Sequence, residues 1–152
     1  MNTLDLEALE AYLSPRIIGL SGLRKATKFS GGQSNPTFLI EADSGRYVLR
    51  RKPPGKILPS AHAVDREYRV IAALAETDVP VAPALHLCED DAVIGSAFYV
   101  MGFVDGVVHW DPALPDLEPG LRRPATLAMI ETLARLHSLD PAAVGLADYG
   151  RP

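Results

Sequence analysis

Two short strand-like runs, residues 37–42 and 46–51, are separated only by Asp43-Ser44-Gly45. That gap has room for a tight turn and nothing else, so the two runs must pair as an antiparallel hairpin. Three further runs of strand character surround them. One, 24–29, lies upstream across Ser30-Gly31-Gly32-Gln33-Ser34-Asn35-Pro36. Two more, 84–88 and 97–104, follow downstream, joined across Glu89-Asp90-Asp91. Between the hairpin and the last pair, Pro53, Pro54, Gly55 and Pro59 mark an irregular loop and Ser60 offers a helix cap. Val64, Tyr68, Ile71 and Leu74 then recur at helical spacing to about residue 75. Five strands with one inserted helix predict a small α+β unit built on an antiparallel sheet.

The flanks carry two more helices. Leu6, Leu9 and Leu13 fall at i, i+3 and i+7, and Pro15 stops that pattern. Residues 105–120 are rich in Pro, Gly and Asp and read as a linker. A helix over 123–138 follows, with Leu127, Ile130, Leu133 and His137 on one face. An apolar stripe needs a second surface to cover it. The division is therefore a helical arm over 1–22, the sheet unit over 23–104, a hinge and linker over 105–121, and the start of a second lobe over 122–152. At about 150 residues per domain, 152 residues suit one domain and a piece of another.

Several function classes are excluded. The net charge is −4 and no basic tract occurs, which argues against a dedicated nucleic-acid binder. A hydrophobic content of 47% supplies a core and argues against disorder. No apolar run approaches the roughly 18 residues of a membrane helix, so no membrane partner is expected. The N-terminus is acidic and lacks a secretory pattern. Cys88 is the only cysteine, and it reads as a small buried hydrophobe. A reducing, cytoplasmic setting follows as the expectation. His62, His86, His109 and His137 are more than twenty positions apart, which excludes zinc spacing.

Three places could carry chemistry. Gly31 and Gly32 allow backbone N–H groups to approach a phosphate, with Ser34 adding a hydroxyl, although an ordinary glycine hairpin has the same composition. In Tyr47-Val48-Leu49-Arg50, Val48 and Arg50 share one strand face. Arg50 could reach a phosphate from there, or simply be a solvated edge cation beside Arg51 and Lys52. Glu67 lies three residues after Val64 and four before Ile71, beside the buried helix face, where a carboxylate needs a partner. Arg50 is favoured, with Arg66 or Arg69 as the local alternatives. A fourth segment, Phe98 to Gly106, runs from a strand into the linker and leaves backbone groups available to the edge of a flat base.

This ordered set resembles the ATP-binding lobe of protein-kinase-like folds: a glycine loop, a strand ending Val-x-cation, a helix glutamate, then Met-x-x-Val-x-Gly. The wording GGQSN, YVLRRKPPG, DREYRVIAAL, FYVMGFVDG and LARLHSLDP is similar to the aminoglycoside phosphotransferase family. Within it, the chain resembles the branch related to the kinase-like domain of acyl-CoA dehydrogenase family members. The resemblance covers essentially the whole chain. It implies that Arg50, standing where protein kinases use lysine, holds the α/β-phosphates with Glu67 as its helix partner. It implies that Gly31, Gly32 and Ser34 cover the phosphates. Val48, Phe29 and Phe38 would line the adenine, with Met101 at the gatekeeper position. The Gly102 carbonyl and the Val104 N–H would read the adenine edge, Gly102 replacing an acidic residue common there. The cofactor implied is ATP with Mg²⁺, and the partner a small-molecule hydroxyl acceptor.

The family's catalytic motif, of the form H-G-D-x-x-x-x-N, is absent from the sequence. His109-Trp110-Asp111 has H-x-D spacing but precedes the last helix, so it reads as linker. His137-Ser138-Leu139-Asp140-Pro141 reads as a structural helix end. No catalytic residue and no metal ligand is therefore assigned within 1–152. The expectation is a nucleotide-binding lobe, hinge and first helix of a second lobe, inactive by itself. The alternative is a non-catalytic nucleotide- or protein-binding module, or a remnant, associating through helix 123–138.

Overall fold

The computed structural model describes residues 4–30, 35–53 and 63–150. Gly31, Gly32, Ser34 and the anticipated cap at Ser60 lie outside them. Among the described residues no helix is long and apolar enough to cross a membrane. The chain forms two compact units, Met1–Ala72 with Ala82–Phe103, and Ala73–Val81 with Val104–Pro152.

The first unit begins with α1 (Leu6–Leu13), capped by the Asp5 carboxylate, which accepts the Ala8 N–H at 3.0 Å. Five strands follow: β1 (Leu23–Lys28), β2 (Thr37–Ala42), β3 (Gly45–Arg51), β4 (Ala84–Cys88) and β5 (Phe98–Gly102). They form one antiparallel sheet in the order β1-β2-β3-β5-β4. The expected α+β architecture is present. Ala42 pairs with Gly45, leaving Asp43 and Ser44 as the turn, and the φ of +140° at Gly45 explains the glycine. The last strand is shorter than the expected 97–104, since ladder-like bonds extend one residue beyond each end and stop before Val104. Lys52 N–H still donates to Ala97 O at 2.9 Å, and Phe103 N–H to Arg46 O at 3.4 Å.

Cross-strand partners share a face. One face carries Phe38, Ile40, Leu49, Phe98 and Val100, and against them pack Leu9 and Leu13 of α1 with Ile17 and Leu20 after it. On the opposite face α2 (Val64–Leu74) contributes Val64, Tyr68 and Ile71 to a smaller cluster with Ala97, Tyr99, Leu87 and Met101. The stripe at helical spacing thus covers the second face, and the central strands are buried on both sides. Cys88 is buried, as its apolar neighbours suggest.

The second unit contains α3 (Pro119–His137). The helix starts four residues before the expected 123. Pro119 fills the first helical turn, where a missing N–H costs nothing. Pro124 lies inside the helix. Arg122 donates to Leu117 O at 3.1 Å and to Pro115 O at 3.2 Å, tying the preceding loop to the helix. No residue of α3 is buried among the described residues, and Leu127, Met129, Ile130 and Leu133 are all exposed.

His86 on β4 faces Tyr12 of α1, with Nε2 3.2 Å from the Tyr12 hydroxyl. The Arg16 guanidinium lies 3.9 Å over the same Tyr12 ring. Burial first, then the Arg16 charge, lowers the His86 pKa below its ordinary value. The folded state therefore resists a proton that the unfolded chain accepts. Nothing is lost well above pH 6.5, and stability falls as pH drops through that value. Urea midpoints measured at about pH 7.5 and about pH 5.5 should show this loss, and His86→Gln should reduce it.

Candidate functional site

The sheet register builds the site. Thr37 on β2, Arg50 on β3 and Tyr99 on β5 are direct cross-strand partners, forming one row across three strands. Glu67, in the first turn of α2, meets that row. Arg50 Nε donates to Glu67 Oε2 at 2.6 Å and Arg50 Nη2 to Oε1 at 3.4 Å, a side-on fork. Tyr99 Oη donates to Oε2 at 3.2 Å, and Asn35 Nδ2 to Oε1 at 2.8 Å. A carboxylate has about four acceptor positions, so all of them are used. On its far side Arg50 Nη1 donates to Thr37 Oγ1 at 3.0 Å. Three of the five guanidinium N–H groups are thus engaged, and two have no partner among the described residues.

The surroundings are dry on one side. Tyr99 is 2% exposed and Asn35 3%. Burial, then the Glu67 carboxylate, raises the Tyr99 phenol well above its ordinary value, so it remains a donor at any physiological pH. The Arg50 and Glu67 side chains are 30% and 34% exposed.

Val48 is buried, paired with Leu39 on β2 and Met101 on β5. Met101 packs against the cluster of Val64 and Tyr99. Gly102 donates its N–H to Pro83 O at 2.8 Å, and Pro83 has no N–H with which to return a bond to the Gly102 carbonyl. A Cβ on Gly102 would lie 3.2 Å from the Pro83 ring, so a larger residue there would require the ring to shift by a few tenths of an ångström. Arg46 lies 4.3 Å over the Phe103 ring and steadies the strand exit. Val104 begins the longer segment of the second unit, and its N–H has no partner among the described residues.

One expectation is overturned. Phe38 pairs with Leu49 and is buried in the α1-side core, on the face opposite Val48. Leu39 is the β2 residue beside Val48. Phe29, whose N–H donates to Thr37 O at 3.0 Å, continues the Thr37–Arg50 row and is 40% exposed. Asn35, Thr37 and Tyr99 were not singled out from the sequence for this cluster. The hairpin register alone places Thr37 opposite Arg50, whereas Tyr99 requires the β3–β5 register. In the linker, Asp111 accepts the Ala113 N–H at 2.8 Å, a local turn contact.

Glu67→Gln keeps the shape but removes the charge and turns one acceptor into a donor facing donors. With both side chains about one-third exposed, the cost should fall between surface and buried pairs, about 1–3 kcal/mol. Chemical denaturation of Glu67→Gln, Arg50→Met and the double variant checks this. A non-zero coupling energy is expected.

A family model described as the phosphotransferase enzyme family, APH, matches residues 25–152. "Probable acyl-CoA dehydrogenase IBR3" of Arabidopsis thaliana is 55% identical over 84% of this chain and 16% of its own length. Acyl-CoA dehydrogenase family member 10 of Mus musculus is 44% identical over 95% of this chain and 14% of its own. The crystal structure of a "putative aminoglycoside phosphotransferase" from Ralstonia eutropha matches with a TM-score of 0.84 and 45% identity, over 99% of this chain and 43% of that one. The chain thus spans about a sixth of these curated relatives and under half of the solved one. Strand order, the strand-to-helix ion pair and these matches agree: the chain belongs to the APH phosphotransferase enzyme family.

Proposed function

We propose that this chain is the nucleotide-binding part of a phosphotransferase that moves the γ-phosphoryl group of Mg-ATP to a hydroxyl of a small molecule. The observation that carries the reading is the state of Arg50. Its guanidinium is held by Glu67 and Thr37, yet two N–H groups have no partner among the described residues. A fixed cation with donors to spare on a kinase-like sheet fits a phosphate oxygen. A lysine would offer a single point of charge, whereas arginine's fork binds the carboxylate on one edge and keeps donors on another.

The other roles are proposed from the family resemblance. Val48, with Leu39 rather than Phe38 beside it, would pack on the base, with Met101 behind it. The backbones of Gly102 and Val104 would read the base edge. Gly31, Gly32 and Ser34 would cover the phosphates. Bound ATP supplies the phosphoryl group, and this chain's residues hold and orient it. The catalytic base, the Mg²⁺ ligands and the acceptor site are proposed to belong to the length of the relatives that this chain does not span. Positioning and charge stabilisation need both sides of a cleft, so residues 1–152 alone should transfer no phosphoryl group.

Calorimetry with Mg-ATP tests the reading. The chain should bind Mg-ATP, and Arg50→Ala should weaken binding at least about tenfold, the loss of a charge-assisted contact. Absence of binding, or a variant that binds as well as the parent, would sink it. Steady ADP formation with a hydroxyl acceptor by residues 1–152, abolished by Arg50→Ala, would overturn the assignment of catalysis elsewhere.

A further inference from the structure

We infer that Asn35 and Tyr99 are positioning residues that keep Glu67 engaged with Arg50 before any nucleotide arrives, so that α2 is not a switch in this protein. The inference rests on the proposed nucleotide reading and extends it to how the phosphate-holding cation is prepared.

The case is one of saturation. Glu67 Oε1 accepts from Arg50 Nη2 and Asn35 Nδ2, and Oε2 from Arg50 Nε and Tyr99 Oη. With its acceptor positions filled, the carboxylate has no lone pair left for a metal ion or a ligand donor. It acts only through Arg50. The three donor residues come from different parts of the sheet unit: β3, β5 and the segment just before β2. Moving α2 outward would break the Glu67 contacts of Tyr99 and Asn35, both nearly inaccessible to water, and would leave the Tyr99 hydroxyl without that acceptor. That penalty opposes the outward state. Asn35 is itself placed by its neighbour, since its carbonyl accepts the Thr37 hydroxyl at 3.1 Å while the Thr37 oxygen accepts from Arg50. The row and the helix are thereby closed into one network. The Tyr99 phenol cannot ionise in the working range, so its contribution does not fluctuate with pH.

Two measurements on the full chain test this. Without nucleotide, the Arg50 Nε–H resonance should exchange slowly with water. A rapidly exchanging resonance would show that the pair is not preformed and would overturn the inference. Next, affinities for Mg-ATP and for adenosine are compared in the parent, Tyr99→Phe and Asn35→Asp, with melting temperatures recorded. Both variants should lose roughly three- to tenfold in Mg-ATP affinity while adenosine binding is unchanged, because only the phosphate contact depends on Arg50. Equal Mg-ATP affinity in parent and variants overturns the positioning role and leaves the nucleotide reading standing. Equal loss for both ligands shows a merely structural role and also overturns it. A parent that binds no Mg-ATP removes the nucleotide reading and this inference together. If one variant fails to fold, the other and the exchange measurement decide.

Discussion

A carboxylate two-thirds withdrawn from water must find hydrogen-bond donors, and the organisation of the sheet unit follows from how Glu67 finds four. Its donors require β3 to lie between β2 and β5, and α2 to cross the face where positions 48 and 50 emerge. They require α2 to begin at Val64, since one position of helical rotation would carry Glu67 away from the row. The apolar contacts of Val64, Tyr68 and Ile71 set that rotation. Packing fixes the helix, and the helix delivers the charge.

The same interaction uses a property that a guanidinium has and an ammonium lacks. An ammonium group holding Glu67 would keep its remaining donors around a single point. The guanidinium separates its duties in space: one edge for Glu67, one N–H for Thr37 and two N–H groups still unassigned among the described residues. The substitution changes the geometry of the pair more than its charge. At the strand exit, the Pro83 ring lies close enough to Gly102 to crowd any larger side chain.

Much of this was legible in the sequence because it depends on short-range rules. The hairpin at Asp43-Ser44 sets which residues share a face with Arg50, and helical spacing sets which residues flank Glu67. Those two periodicities favour Arg50 as the partner of Glu67 but leave Arg66 and Arg69 as local alternatives, which the fold decides. Phe38 was misplaced because its assignment ignored the hairpin register, which puts it beside Leu49. Tyr99 was not legible because its place depends on pairing between strands far apart in the chain, which no local pattern encodes. Asn35 looked like a turn residue, and its amide was matched to Glu67 only by the fold. α3 starts earlier than expected, and Pro124, a residue that normally marks a boundary, lies within it.

The row Thr37–Arg50–Tyr99 has a consequence for the order of folding. Thr37 and Arg50 are 13 positions apart and meet when the local hairpin closes, whereas Tyr99 and Asn35 each reach Glu67 across 32 positions. Long loops close late, because their entropy must be lost before their contacts form. Arg50 and Glu67 are 17 positions apart, so their pair closes a shorter loop than the contacts of Tyr99 and Asn35 that complete it. The four-donor network around Glu67 is complete only when the last strand, carrying Tyr99, has joined the sheet.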